Sequence, residues 1–155
     1  MDSQTSINPA TGDILQSYPV HSAQDVQDMI ARAHQCFLQW RTVPVATRAG
    51  FMRKVADVIL KNKQHYATLI TKEMGKPFRE STAEVEKCAS AATYFADNAV
   101  DFLADRHVKT EYRKSYVTFQ PTGIVLGVMP WNFPFWQVLR YALPTLTAGN
   151  TCLLK

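Results

Sequence analysis

The sequence has 155 residues, 46% of them apolar, which is enough for roughly one domain with a hydrophobic core. Lys and Arg (17) exceed Asp and Glu (13) to give a net charge of +4, but they are spread along the chain without regularly interleaved aromatics, which argues against nucleic-acid binding. No segment approaches the roughly 20 apolar residues that span a bilayer, and the first residues lack a signal-peptide pattern, so we expect a cytoplasmic protein that binds no membrane.

The first part of the chain predicts a small hairpin followed by a helix. The turn-forming letters "NPATGD" at residues 8–13 lie between two short apolar stretches. Ser22, with Asp25 three residues later, is typical of a capping box. The helix that it opens has one buried face, predicted from apolar residues at 26, 29, 30, 33, 37 and 40.

Three more helices are predicted before residue 104. Pro44 starts the second helix, and Gly75 followed by Pro77 ends the third. The fourth is the longest and runs from Phe78 to about Leu103, with alanines along which it should pack closely. The apolar faces of the second and third helices are predicted from Phe51, Met52, Val55, Val58 and Ile59, and from Tyr66, Leu69 and Ile70.

The segment "VKTEYRKSYVTFQPTG" predicts an exposed strand or hairpin, because it is rich in β-branched and aromatic residues. The edge of such a strand could pair with another subunit, and we place the pairing strand between about Glu111 and Gln120.

Residues 123–155 predict a strand, a helix and a second strand. The apolar run from Gly123 to Pro130 is typical of a strand buried on both faces. Asn132 is a good helix N-cap and Pro134 suits the first turn, so a helix should begin near Phe133 and end near Gly149. The apolar residues Cys152, Leu153 and Leu154 then predict a second strand.

The fold class is therefore α/β. A helical part at residues 1–110 and a strand arm at residues 111–122 lead into one βαβ unit at residues 123–155. Two parallel strands do not make a stable sheet. We therefore expect the sheet to be completed either by a longer chain or by association.

The βαβ unit places Asn132 and Lys155 at one edge of the sheet, since a right-handed crossover leaves both strands parallel. Open α/β sheets bind ligands at this edge. An amide, a helix N-terminus and a lysine suit a phosphate, a ribose or an oxyanion. Asn132 as an N-cap and Lys155 at a strand end also have structural explanations, and the residues alone leave these alternatives open. The GxxxxGK[ST] and GxGxxG motifs are both absent.

Cysteines and histidines offer no further site. Cys36, Cys88 and Cys152 are odd in number and lack CxxC spacing, which suits a reducing compartment. We expect all three to be small buried apolar residues rather than nucleophiles. The four histidines have no ligand spacing, so no metal site is predicted.

The C-terminal stretch "GVMPWNFPFWQVLRYALPTLTAGNTCLLK" resembles the aldehyde dehydrogenase superfamily, in particular its succinate-semialdehyde dehydrogenase branch. "INPATG", "EMGKP" and the Pro121 to Gly123 entry to the strand match in the same order. The resemblance covers nearly the whole chain. It implies that residues 1–155 are an N-terminal portion, ending in an incomplete Rossmann-type sheet that binds NAD or NADP without the GxGxxG motif.

The resemblance also implies roles for individual residues. Asn132 would form part of the oxyanion hole, and Lys155 would bind the adenosine ribose of the cofactor. Arg140 would contact a substrate carboxylate; from the residues alone, a surface arginine is the alternative. Phe133 and Gln137 would share the stripe of Arg140 that faces the substrate. The cofactor would be bordered by Val128, Met129, Pro130 and Trp131.

The reaction implied is oxidation of succinate semialdehyde, or a similar aldehyde, to its acid through a cysteine thioester in a homo-oligomer, dimeric or tetrameric. None of the three cysteines stands at the place of the family's nucleophile, and the family's catalytic glutamate lies further downstream. We therefore expect these residues alone to be inactive. A non-catalytic module that pairs with full-length subunits, and a remnant without function, are the alternatives.

Overall fold

A computed structural model describes residues 3–155, which contain five helices and six strands. The helices are α1 (Ala23–Trp40), α2 (Val45–Lys61), α3 (Lys63–Met74), α4 (Phe78–Phe102) and α5 (Pro134–Thr147). The strands are β1 (Ser3–Ile7), β2 (Ile14–Pro19), β3 (Arg106–His107), β4 (Tyr116–Val117), β5 (Ile124–Gly127) and β6 (Thr151–Leu154). The mixed helix and strand content confirms the predicted α/β class.

The predicted N-terminal hairpin and capping box are both present. Strands β1 and β2 pair antiparallel, and the Asn8 backbone N–H donates to Asp13 O across the turn at 2.8 Å. The Ser22 hydroxyl accepts from the backbone N–H of Asp25, whose carboxylate accepts from Ser22 N–H. Hydrogen bonds from Ser22 hold the pKa of Asp25 below its usual value, so the cap is charged at neutral pH.

Helix α4 is the centre of the hydrophobic core. It packs against α2, α3 and α5, and Val85 and Cys88 are completely buried on it. The predicted packing along alanines is confirmed, because the helices approach closely over small side chains that are buried there: Ala89, Ala92, Ala96 and Ala99. Gly75 ends α3 with a φ of 67°, as its position before Pro77 predicted.

The predicted arm is a short exposed hairpin. Arg106 and His107 in β3 pair antiparallel with Val117 and Tyr116 in β4. Strand β3 therefore starts the arm within the segment that the sequence assigned to the helical part.

The βαβ unit ends the chain. Strands β5 and β6 pair in parallel, with Ile124 opposite Thr151 and Gly127 opposite Leu154, and both α1 and α5 contact them. The prediction that β5 is buried on both faces is wrong, because Leu126 is 63% exposed. The helices cover the start of the strand and its α5 side, where Gly127 is buried, but do not reach the Leu126 side chain.

Of the three cysteines, Cys88 is buried, Cys152 is half-buried and Cys36 is exposed. The prediction of a buried residue is wrong for Cys36. Phe37 is the buried residue of α1, and Cys36, which precedes it, points about 100° away around the helix.

Among the helices of residues 3–155, none has the length and apolar character that crossing a bilayer requires. Within the same range, no group of three or more His, Cys, Asp or Glu side chains is placed to hold a metal ion.

Candidate functional site

The edge of the sheet where β5 and β6 end is held together by backbone hydrogen bonds. Lys155 N–H donates to Gly127 O at 2.8 Å, and Met129 N–H donates to Lys155 O at 3.1 Å. The segment that leads to Asn132 therefore starts directly beside Lys155. The side chains of Asn132 and Lys155 are both exposed to solvent.

The start of α5 differs from the prediction. The N-cap is Phe133 (φ −140°, ψ 76°), no side chain at the cap position bonds to the helix, and Pro134 takes the first helical position. The prediction that Asn132 caps the helix is therefore wrong, because the residue lies one position too early. Its amide is not used for capping, which leaves it a solvent-exposed group at the sheet edge.

A carboxylate from another helix takes the place of the cap. Glu84 in α4 accepts hydrogen bonds through Oε1 from the backbone N–H groups of Phe135 and Trp136, both at 3.0 Å. These are among the N–H groups that a helix start leaves unpaired, and a negative charge there also complements the helix dipole. Glu84 thus does from 51 residues away what a local cap normally does.

The charge of Glu84 is paired by Lys76. Lys76 Nζ lies 2.6 Å from Glu84 Oε2, and the side chains are only 12% and 2% exposed. The same ammonium group lies 3.7 Å from the centroid of the Phe133 ring, a cation–π contact. Lys76 therefore connects the buried carboxylate to the residue that follows Asn132.

The other end of α5 is held by the opposite charge. The buried Arg48 donates from Nε to Thr147 O at 2.9 Å, and it also donates to Val43 O. Trp40 donates from Nε1 to Leu146 O at 2.9 Å. Donors at the carbonyl end and acceptors at the amide end fix the helix along its axis.

Tyr141 fixes the middle of α5 to the sheet. Its hydroxyl lies within hydrogen-bond reach of Val125 O and of Leu153 O, the latter at 2.7 Å, and donates its single proton to one of them at a time. Burial raises the pKa of Tyr141 to about 12. A Cβ atom on Gly127 would lie 2.7 Å from the Tyr141 ring, so this close approach requires glycine.

The structure brings the predicted residues together in two groups. Val128, Pro130 and Trp131 are exposed and Met129 is half-buried in the segment at the sheet edge, next to Lys155. Gln137 and Arg140 lie on α5 three residues apart, which places them on one side of the helix, and Phe133 is the N-cap four residues before Gln137. Gln137 is half-buried and Arg140 is exposed.

A cleft of about 270 Å³ opens beside Phe133, between α4 and the start of α5. At the wall of this cleft, Lys87 Nζ lies 4.0 Å from the ring centroid of Trp136. Its lining residues are Lys76, Glu80, Ala83, Glu84, Lys87, Phe133 and Trp136.

Lys76, Glu84 and Arg48 were not among the residues predicted from the sequence. A signal was present, because Glu84 is one helical turn from Cys88 on the apolar face of α4, and Arg48 is one helical turn from the buried Met52. A charged residue on an apolar stripe requires a buried partner. The partners on α5 could not be identified, since they are backbone groups far along the chain.

The chain combines a helical layer, an exposed hairpin arm and a parallel βαβ unit with its loop at the sheet edge. The sequence profile described as "Aldehyde dehydrogenase family" matches residues 1–155. The chain belongs to the aldehyde dehydrogenase family.

Curated relatives narrow the similarity within the family. The chain is 45% identical over 150 residues to a probable succinate-semialdehyde dehydrogenase [NADP(+)] of Synechocystis, which covers 97% of the chain and 33% of the relative. It is 37% identical to the succinate-semialdehyde dehydrogenase [NADP(+)] of Deinococcus radiodurans, and the match covers 97% of the chain and 31% of the relative. The chain thus spans about a third of the length of these relatives.

Solved structures show the same similarity. The succinic semialdehyde dehydrogenase of Streptococcus pyogenes, in complex with NADP+, superposes with a TM-score of 0.91 at 34% identity, over 97% of this chain and 33% of that one. A betaine aldehyde dehydrogenase of Staphylococcus aureus, in complex with NAD+, gives a TM-score of 0.92 at 25% identity, over 99% and 31%.

Proposed function

We propose that these residues form the first part of the cofactor-binding domain of an enzyme that oxidises succinate semialdehyde, or a similar acidic semialdehyde, to its carboxylic acid. The observation that carries the proposal is the bond from Met129 N–H to Lys155 O at 3.1 Å. It sets the segment leading to Asn132 beside Lys155 at the ligand-binding edge of a parallel sheet.

Asn132 would donate a hydrogen bond to the substrate oxygen as negative charge develops on it. A carboxamide N–H is suited to this role because it does not titrate and needs no proton transfer. Its position supports the proposal, since α5 is capped by Glu84 and the exposed Asn132 amide is not required there.

Lys155 would hold NADP+ or NAD+, which accepts hydride from the substrate when bound. The chemistry of the donor set fits a dinucleotide, because an exposed ammonium group at a strand end can bind ribose hydroxyl or phosphate oxygens. The names of the curated relatives favour NADP+. The bordering positions would be Val128, Met129, Pro130 and Trp131.

Arg140 would bind the carboxylate at the far end of the substrate. It lies seven residues beyond Phe133, or roughly 10 Å along the helix axis at 1.5 Å per residue. A guanidinium pairs with a carboxylate in a bidentate manner and would favour an anionic semialdehyde over a neutral aldehyde. Phe133 and Gln137 would line the space between the Asn132 amide and the Arg140 guanidinium.

The nucleophile would come from sequence outside these 155 residues, as would the glutamate base. Burial raises the pKa of Cys88 to about 12, and burial also raises that of Cys152 within β6. Both thiols are therefore protonated at neutral pH and unreactive. Cys36 is exposed on α1. Residues 1–155 alone would then catalyse no oxidation, and the reaction would pass through a cysteine thioester only in the full-length enzyme.

The test compares succinate semialdehyde with butanal, a neutral aldehyde of the same chain length, in the full-length enzyme. We expect Asn132→Ala to lower kcat by about 10² to 10³ for both substrates. We expect Arg140→Gln to lower kcat/KM for succinate semialdehyde by about 10² or more and to leave butanal nearly unchanged.

Arg32→Gln is the matched control, because Arg32 is also an exposed helical arginine but lies on α1. An Arg140→Gln enzyme that keeps its preference for the acidic substrate would contradict the assignment of Arg140. A full-length enzyme that oxidises neither aldehyde would contradict the proposed reaction.

We also propose that the enzyme is a homo-oligomer that uses the arm at residues 111–122. The support is the exposure of Tyr116 and Val117 in β4, about half of each side chain. Val117→Pro should lower the molar mass in light scattering, because proline cannot donate to a strand pair. If residues 1–155 bound full-length subunits through this arm, the non-catalytic module would be the better description of the chain alone.

A further inference from the structure

The N-terminus of α5 is held by a buried ion pair rather than by a local neutral cap. Glu84 uses both oxygens, Oε1 for the amides of Phe135 and Trp136 and Oε2 for Lys76. Burial of a carboxylate and an ammonium group is costly compared with a serine or asparagine cap. What the pair adds is a fixed geometry, because each group is constrained by contacts to a different element.

The contacts of the pair converge on the residues that immediately follow Asn132. Lys76 contacts the ring of Phe133, and Glu84 accepts hydrogen bonds from the backbone amides of Phe135 and Trp136. On the other side of Asn132, Met129 is bonded to Lys155 O. Asn132 therefore lies on a short segment that is fixed at both ends.

We propose that Glu84 and Lys76 are positioning residues that fix the direction in which Asn132 presents its amide. The proposal rests on the proposed function of Asn132 in the oxyanion hole. Neither Glu84 nor Lys76 touches the reacting atoms in this proposal. They act through α5 and Phe133, and small displacements of a catalytic donor are known to reduce rates strongly.

The experiment uses the full-length enzyme with Glu84→Gln, Lys76→Met and the control Glu86→Gln. Glu86 lies on the same helix and pairs with Lys63 at 2.7 Å, but on the surface, with side chains 50% and 31% exposed. Glu84→Gln keeps the shape and one acceptor oxygen, so the protein should fold. Circular dichroism and thermal unfolding of each variant establish that it does.

We expect Glu84→Gln and Lys76→Met to lower kcat at least tenfold, with Kd for NADPH, measured by its fluorescence, within twofold of the wild type. The cofactor site should be spared because the backbone bonds of Lys155 to Gly127 and Met129 involve neither Glu84 nor Lys76. Hydrogen exchange of the Phe135 and Trp136 amides should become faster in the Glu84 variant and remain unchanged in Glu86→Gln.

A double variant tests whether Glu84 acts through Asn132. Glu84→Gln combined with Asn132→Ala should lose no more activity than Asn132→Ala alone, since the residue to be positioned is gone. If the fold-loss in kcat of the double variant equalled the product of the two single losses, the proposal would be overturned. A folded Glu84→Gln enzyme with the kcat of Glu86→Gln would overturn it as well.

The failures of the two proposals are distinguishable. A wild-type kcat in Asn132→Ala would overturn the role of Asn132 and the positioning role with it. A large loss in Asn132→Ala together with none in Glu84→Gln would overturn the positioning role alone. Lys76→Arg should retain more activity than Lys76→Met, because it keeps the positive charge beside Glu84 and Phe133.

Discussion

Arg48 Nε lies 2.9 Å from the carbonyl oxygen of Thr147, although 99 residues separate them in the sequence. The guanidinium group is buried at the carbonyl end of α5, while the carboxylate of Glu84 is buried at the amide end. Each charge has the sign that the helix dipole favours at its end. The helix that follows Asn132 is therefore held at both ends by side chains that bond to its terminal backbone groups, and not only by packing of its apolar face.

Replacing Arg48 by Met should destabilise the protein by about 2 to 4 kcal/mol, because the buried Thr147 O and the partly buried Val43 O would lose their donor. Urea unfolding of the purified protein measures the change. Arg53→Met is the control on the same helix, since Arg53 forms an exposed pair with Asp97 at 2.7 Å and should contribute at most about 1 kcal/mol. Equal effects of the two substitutions would contradict this role of Arg48.

Gly127→Ala should cost about 1 to 3 kcal/mol, because the new methyl group would lie 2.7 Å from the Tyr141 ring and push α5 from the sheet. Gly50→Ala gives the opposite expectation. Gly50 lies in α2, and a methyl group added there would meet no neighbouring side chain within 4 Å, so alanine should stabilise the protein by about 0.5 to 1 kcal/mol. Thermal or urea unfolding of both variants provides the comparison, and a stable Gly127→Ala protein would show that the contact is not a constraint.

The three thiols should differ in their reaction with a disulfide reagent at pH 8 in the folded protein. Cys36 should react fast because it is exposed, whereas Cys88 should react only on unfolding, since it is buried and its pKa is raised to about 12. Mass spectrometry of the labelled peptides identifies each site. Rapid labelling of Cys88 in protein whose circular dichroism is native would contradict the packing of α4.

Tyr141 should make stability depend on alkaline pH. Its pKa is raised from 10.0 to about 12, so the folded state favours the neutral phenol. This contribution is fully present below pH 10 and is lost as the pH rises from 10 to about 12. Tyr141→Phe should cost about 1 kcal/mol at pH 8, through the lost hydrogen bond, and should weaken the dependence above pH 10.

Unfolding in urea at pH 8 and pH 11 measures this effect. Cys88 and Cys152 contribute losses of the same sign starting from pH 9, because the pKa of each is raised from 9.0, and these parts should persist in the Tyr141→Phe protein. If the free energy of unfolding fell by the same amount between pH 8 and pH 11 in the variant as in the wild type, Tyr141 would not titrate in this range.

Features encoded by neighbouring residues could be predicted from the sequence. The capping box of Ser22 and Asp25, the left-handed Gly75 before Pro77, and Pro134 in the first turn of α5 each depend on a few adjacent residues, and all three are present. The parallel pairing of β5 and β6 followed from the crossover connection of a βαβ unit.

The anchoring of α5 could not be predicted in the same way. Asn132 had the right residue type for an N-cap, but tertiary contacts placed the cap at Phe133 and supplied the acceptor from Glu84. No local pattern connects Glu84 with residue 135, because the bond forms only when α4 and α5 pack together. The resemblance to a family is the basis for proposing which residues surround the ligands, and the structure added the groups that hold α5 in place.

The distance along the chain between these anchors has a consequence for the order of folding. Trp40 bonds to Leu146 O across 106 residues, and Thr151 Oγ1 bonds to Ala33 O across 118. The closure entropy of such loops must be overcome before their contacts contribute, whereas α3 and α4 meet through near neighbours. We expect α2 to α4 to assemble early and α5 to dock on them last, so that pulse-labelled amides of α4 gain protection before those of β6. During synthesis, the early helices would then be ready to receive the segment that carries Asn132 as it emerges.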